Sequence, residues 1–172
     1  MNIILQPLRP SDHEQFIKDN QEAFNYGALE EFGLRNDRFE ETNEDGNQII
    51  SRKTIVTSIE NGDAYRILLD NVIVGGAVIK IDGAHGELEL LFISQKHHSK
   101  GIGYAAWCEI EKMHPEVKVW ETFTPYFEKR NIHFYVNRCG FHIVEFFNKQ
   151  HLEEENPAEE GFEMFRFEKR IE

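Results

Sequence analysis

His98-Ser99-Lys100-Gly101-Ile102-Gly103-Tyr104-Ala105-Ala106 is the stretch whose conformation decides what kind of protein this is. Two glycines, two apart, follow a polar and basic loop and stand where a helix begins. Ile102, Ala105, Ala106, Ile110 and Met113 recur at helical spacing, and His114-Pro115 ends the run. The N–H groups of a helix's first turn have no partner within the helix, and its dipole places partial positive charge there. Glycine admits a close approach because no Cβ intervenes. The stretch is therefore suited to hold an anion such as phosphate. Lys96, His98 and Lys100 add donors or positive charge nearby. A glycine-rich turn that holds nothing is the plain alternative.

The same residues also fit a dinucleotide fingerprint. Gly101 to Ala106 reads G-x-G-x-x-A, and Glu121 follows about twenty residues later at a strand end. Three features oppose that reading. Ser94 to Lys100 separates the glycines from the strand before them, whereas a dinucleotide turn leaves its strand almost at once. The preceding strands are antiparallel in pattern. Ala64–Leu69, Val72–Ile81 and Glu87–Ile93 are strand-like runs joined by Asp70-Asn71 and by Asp82-Gly83-Ala84-His85-Gly86, which makes a meander. Finally, 172 residues is short for a dinucleotide domain joined to a substrate domain.

Downstream, Asn131-Ile132-His133-Phe134-Tyr135-Val136-Asn137-Arg138-Cys139-Gly140-Phe141 lies largely on a helix predicted over Phe127–Arg138, with Cys139-Gly140 closing it. Asn131 and Tyr135 are four apart, so they share a helix face. Taken together, the two segments resemble the GNAT family of N-acetyltransferases. The family's motif A runs Gln or Arg, two residues, Gly, one residue, then Gly or Ala. His98, Gly101 and Gly103 stand in those places, and His98 is the departure. Asn131, Tyr135 and Gly140-Phe141 resemble the second hallmark. The resemblance covers residues 63–147. The first 60 residues follow it only in outline, as one strand and then helices, and the final strands follow it in type. In composition and motif style the chain is similar to bacterial acetyltransferases of unknown substrate.

The resemblance implies an α/β (α+β) fold in a single domain over residues 1–172. Its central sheet would be mixed and mainly antiparallel, with about seven strands split between the fourth and fifth and flanked by helices. Elements outside the motifs fit that order. Ile3–Arg9 is a first strand, and Ser11 with Glu14 has the form of a capping box that starts helices over 12–32. A short helix is expected near Arg38-Phe39 and another over 50–60. Val117–Glu121, Phe141–Phe147 and Phe162–Phe167 read as the remaining strands.

Acetyl-CoA is the implied co-substrate, lying in the split. Leu91, Phe92 and Ile93 would run beside the pantetheine. The turn from His98 through Ser99, Lys100, Gly101, Ile102 and Gly103 to Tyr104 would hold the pyrophosphate. Asn131 would bond to the cofactor chain, and Tyr135 would sit near the sulfur as general acid. Acyl transfer needs a neutral amine, so a base helps. Glu87 and Glu89 are two apart, and on a regular strand they share a face with Leu91, opposite Leu88, Leu90 and Phe92. Carboxylates in a strand buried on both sides need a reason. One of the pair is the candidate base, and Glu89 lies deeper in the strand. Both carboxylates facing solvent or pairing with a cation is the alternative. A backbone N–H near Phe92 or Ile93 would meet the oxyanion.

Charge narrows the partners. The net charge is −12; residues 21–50 hold eight acids and two bases, and residues 151–165 hold six acids and no base. These segments account for the whole excess, which argues against nucleic acid or anionic membrane as a partner. The acidic segments 37–45 and 153–160 lean towards a cationic small-molecule or peptide amine, or are solvated surface. No apolar run approaches the ~20 residues of a membrane span, and Met1–Pro10 lacks the pattern of a signal peptide. Cys108 and Cys139 are expected to be free thiols in a cytoplasmic protein. His85, His97 and His98 lack zinc spacing, and no metal is expected. The expected activity is acetyl transfer to a primary amine by direct attack in a ternary complex, with a homodimer allowed by the resemblance. A non-catalytic acyl-CoA-binding module and a nicotinamide-dinucleotide enzyme stay open beside it.

Overall fold

The three strand-like runs do form a meander, and it builds the first half of the sheet. The computed structural model describes residues 1–31, 48–151 and 163–172. Strands β1 (Ile3–Pro7), β2 (Asp63–Leu69), β3 (Val72–Asp82), β4 (His85–Ile93), β5 (Val119–Pro125), β6 (His142–Phe147) and β7 (Met164–Arg170) make one sheet in the order β1-β2-β3-β4-β5-β7-β6. Among the described residues only the β4–β5 pair is parallel. Helices α1 (His13–Asn25), α2 (Arg52–Asn61), α3 (Ile102–Met113) and α4 (Lys129–His133) flank it, and α1 and α4 each run on into a wider π turn, Tyr26–Glu31 and Phe134–Arg138. Asp70 and Asn71 both have positive φ, which suits the tight hairpin between β2 and β3.

Each sheet face carries its own core. On one side Ile102, Ala106, Trp107 and Ile110 of α3 pack with Ile67, Ile79, Leu88, Trp120, Phe141 and Phe167. Trp107 and Trp120 meet edge to face with ring centres 5.2 Å apart. On the other side Phe16 and Ile17 of α1 and Ile55 of α2 pack with Val78, Leu90 and Phe92. Each such large side chain contributes about 1.5–3 kcal/mol when fully buried. Buried Arg66 on β2 pairs with Asp12 at 2.6 Å and Asp19 at 2.9 Å, fixing the entry to α1 against the sheet.

Several expectations need correction. Ser11 and Glu14 form no capping box. Pro10–Asp12 is a 3-10 turn, α1 starts at His13 without a side-chain cap, and both Glu14 oxygens are held by Arg52. Ser51 is a true cap, accepting from the Thr54 N–H at the start of α2. The helix expected over Phe127–Arg138 is α-helical only to His133. The expected helix near Arg38-Phe39 and the acidic segments 37–45 and 153–160 lie outside the described residues.

The largest correction concerns β4. Val78 stands opposite Leu90 and Ile79 opposite Leu88, so Glu89 is an extra residue in a β-bulge. Leu88 therefore faces the α3 side, while Leu90 and Phe92 face the α1 side. The single face expected for Leu88, Leu90 and Phe92 does not exist, and the strand is not regular between Glu87 and Glu89. β4 pairs with β5 only from His85–Val119 to Leu88–Thr122. Beyond that β4 continues to Ile93 along β3, and β5 continues to Pro125 along β7. The sheet is thus open between its fourth and fifth strands, as expected. Thr122 Oγ1 donates to the Leu88 carbonyl at 2.8 Å, at the point where the strands part. Among the described residues, no helix is long and apolar enough to cross a membrane.

Candidate active site

Where β4 and β5 diverge, a cleft of about 620 Å³ opens. Leu91, Phe92 and Ile93 form one wall, and His98, Ser99, Gly101, Ile102, Gly103 and Tyr104 form its far end. Asn131 and Tyr135 line the opposite side. The sequence reading places all of these residues at one site, and the structure brings them together. Lys100, Glu87 and Glu89 do not line the cleft.

The turn is shaped by its backbone. Gly101 has φ +74° and caps α3 without any side chain, so the first-turn N–H groups of α3 have no side-chain acceptor at the cap. Ser99 also has positive φ, +62°, a conformation that costs a non-glycine residue about 1–2 kcal/mol. A Cβ added at Gly103 would lie 3.5 Å from the Phe134 ring and 3.7 Å from Ile93 Cγ1. Gly103 is therefore the floor of a gap between the end of β4 and the π turn after α4.

His98 does more than supply a backbone N–H. Its Nε2 lies 2.7 Å from the Ile93 carbonyl, and its Nδ1 lies 2.8 Å from Nη1 of Arg130. A guanidinium can only donate and a carbonyl can only accept. The ring must then accept at Nδ1 and donate at Nε2, which is the neutral imidazole. His98 ties the end of β4 to Arg130, itself in the cleft wall. Arg138 lies over the Tyr104 ring at 5.5 Å and adds a second guanidinium at the glycine end.

Tyr135 belongs to the cleft wall and to the main core at once. It is 6% exposed and packs against Phe134, Phe141 and Phe167. Burial pushes its phenol well above the usual range; nearby Cys139 and Glu128 add to the rise, and the Thr122 hydroxyl opposes it. The phenol is held protonated. The π turn that carries it is closed by Cys139 N–H donating to the Phe134 carbonyl at 3.0 Å, five residues back. Such wide turns are frequent at functional sites.

Glu89 and Glu87 differ in setting. Glu87 stands in the paired part of β4, between Lys80 and Glu121 in register. Glu89 is the bulged residue just past the last parallel pair, and its Oε2 is buried without a hydrogen-bond partner among the described residues. Sequence reasoning missed Glu128, Arg130, His97 and the α1-side wall of Ala23, Phe24 and Gly27. A signal for Glu128 was available. It precedes Asn131 by three and Tyr135 by seven, so all three fall on one helical stripe.

Residues 19–141 match the family described as Acetyltransferase (GNAT) family. The chain is 42% identical to YrkN of Bacillus subtilis, described as an uncharacterized protein; the match covers 96% of this chain and 91% of that one. Among solved structures, it is similar to an acetyltransferase from Thermus thermophilus, with TM-score 0.68 at 16% identity over 99% and 98% of the two chains. It is also similar to the PaiA N-acetyltransferase of Thermoplasma acidophilum in complex with coenzyme A, with TM-score 0.67 at 19% identity over 99% and 100%.

Proposed function

The chain belongs to the acetyltransferase (GNAT) family, and from that premise we propose that it moves an acetyl group from acetyl-CoA to a cationic primary amine, by direct attack with both substrates bound. The observation that carries the reading is the open edge of β4 beside an uncapped helix start. Leu91 to Ile93 have β3 on one side and no strand partner on the other among the described residues. Coenzyme A fits that donor set: an extended amide chain can pair with a strand edge, and a pyrophosphate suits the N–H groups at a helix start. The relative solved with coenzyme A supports the same ligand for this chain.

Acetyl-CoA would supply an acyl group already activated as a thioester. The chain's own residues then bind, orient and move protons. The N–H groups of Ile102, Gly103 and Tyr104 would take the pyrophosphate, with Arg130 and Arg138 adding positive charge. Asn131 would hold the amide chain. An N–H of Phe92 or Ile93 would meet the oxyanion, which is worth most in a site that excludes water. Tyr135, kept protonated by burial, is the donor to the leaving sulfur. Glu89 at the bulge is the preferred base over Glu87, because only Glu89 stands past the last β4–β5 pair; it does not line the cleft, so it would act through water.

Calorimetric titration with acetyl-CoA and with NAD tests the ligand. Acetyl-CoA should bind and NAD should not. A screen of primary amines, read by the free thiol released, tests the reaction. Binding of NAD without acetyl-CoA would sink the reading, and so would acetyl-CoA binding with no thiol released to any amine.

A further inference from the structure

The inner face of β5 changes character where the strands part. Trp120, Thr122 and Thr124 alternate on it, and all three are buried. Trp120 belongs to the α3-side core, but the next two positions carry hydroxyls. A buried hydroxyl needs partners. Thr122 is the last residue of β5 paired with β4, opposite Leu88, and it stands beside Phe167 of β7. Its Oγ1 donates to the Leu88 carbonyl at 2.8 Å. A hydroxyl carries one proton and two lone pairs, so Oγ1 can still accept. Its other hydrogen-bonding neighbour is the phenol of Tyr135, whose ring centre lies 5.6 Å from that of Phe167. With the Thr122 proton committed to Leu88, the phenol is the donor of that second bond. Thr122 thus joins the end of the β4–β5 pairing to the candidate acid in the cleft wall.

We infer that Thr122 is a positioning residue for acetyl transfer: its hydroxyl holds the Tyr135 phenol at the fork and supports it as it gives up its proton. The inference rests on the acetyl-transfer reading and goes beyond it by assigning a role to a residue outside the cleft lining. As the coenzyme's sulfur leaves, the Tyr135 O–H bond breaks and an S–H bond forms. The Thr122 O–H rotates from the Leu88 carbonyl to the phenolate oxygen and keeps its own proton. The amine nitrogen sheds one proton on acylation, and a proton passed on through water restores the phenol, so atoms and charge balance. Burial raises the phenol's pKa most, and the Thr122 hydroxyl lowers it, which is the direction that helps the phenol to donate.

The test titrates the ultraviolet absorbance of the coenzyme A thiolate bound to the full chain, with the desulfo-coenzyme A complex as blank. A phenol that donates to the sulfur favours the thiolate. Tyr135→Phe should therefore lower the thiolate-to-thiol ratio at one fixed pH roughly tenfold or more, the range for a charge-assisted bond. Thr122→Val keeps the shape without the hydroxyl and should lower the ratio roughly threefold, since it weakens that bond without removing it. Thr122→Ser should restore the parent ratio, and Thr124→Val, on the same buried face, should leave it unchanged. Thr122→Ala carries the same decision if the valine variant does not fold. A parent ratio in Thr122→Val, alongside a fall in Tyr135→Phe, overturns the inference alone. So does a fall in Thr122→Ser or Thr124→Val equal to that in Thr122→Val, because the packing and not the hydroxyl would then matter. An unchanged ratio in Tyr135→Phe, or no coenzyme A binding by the parent, overturns the acetyl-transfer reading first, and the inference falls with it.

Discussion

Replacing Gly103 with alanine separates a glycine that serves a ligand from one that serves the fold. Gly103 is helical and does not have positive φ. The added methyl would meet the Phe134 ring at 3.5 Å and Ile93 Cγ1 at 3.7 Å, which are ordinary contacts, so nothing in the protein must move. Alanine is favoured over glycine in a helix by about 0.5–1 kcal/mol. The midpoint of thermal unfolding should therefore stay level or rise by roughly 1–4 °C. The same methyl stands in the gap between β4 and the π turn, where the backbone has to approach the phosphates. Losing one or two charge-assisted hydrogen bonds there costs about 1.5–3 kcal/mol, or roughly 10–150-fold in affinity. Differential scanning fluorimetry gives the first quantity and calorimetry with coenzyme A gives the second. Stability and affinity should move in opposite directions. Unchanged affinity in a variant as stable as the parent would refute the phosphate role of the turn. A fall in both would mean that the fold itself needs the glycine.

Three further outcomes are expected. Tyr135→Phe keeps the ring packing against Phe141 and Phe167 and should lower turnover about 100-fold or more, with acetyl-CoA affinity unchanged; equal turnover removes Tyr135 as the acid. His98→Gln can still donate to Ile93 and accept from Arg130, whereas His98→Arg can only donate and confronts Arg130 with a like charge. Coenzyme A affinity should therefore hold in the first and fall roughly tenfold in the second, and equal affinities would show that the imidazole bridge is idle. Alkaline pH should weaken the fold. Burial pushes the Cys139 thiol up to about 12 from an ordinary 9.0 and raises Tyr135 above its ordinary 10.0. Both are raised in the folded state, so their stabilisation is complete below about pH 9 and is lost as the unfolded groups ionise above it. Melting temperatures between about pH 8 and 11 should fall, less steeply in Cys139→Ala, and a flat profile in the parent would contradict the burial argument.

Much of this molecule can be read from residue order, and the exceptions share a cause. The meander announces itself through turn residues at Asp70-Asn71 and Gly83, and α3 through its apolar period. Those are local signals, set by neighbours within a few positions. Glu128 belongs to a local pattern too, a stripe with Asn131 and Tyr135, but a lone acid at a helix start reads as a surface residue until the α1-side wall closes over it. The role of His98 could not be seen in sequence, because its partners are a carbonyl five residues back and a guanidinium thirty-two residues on. Ser11 and Glu14 show the converse. The spacing of a capping box is present, but Pro10 starts a 3-10 turn and Arg52 takes the carboxylate, so a distant residue cancels a local preference.

The bulge at Glu89 ties these points to the cleft. The letters from Glu87 to Ile93 look like an ordinary strand, and an ordinary strand would keep Leu88, Leu90 and Phe92 on one face. One extra residue shifts the phase of everything after it. Leu90 and Phe92 turn to the α1 core, where Phe92 meets Phe16 edge to face at 5.1 Å. Leu91 and Ile93 turn to the α3 side, which brings Ile93 against Gly103. The insertion falls one residue after the last pair with β5, so the change of phase and the parting of the strands coincide. The unpaired residue at that point is Glu89, which stays outside the cleft lining with its Oε2 buried and no hydrogen-bond partner among the described residues, an arrangement that costs free energy rather than supplying it.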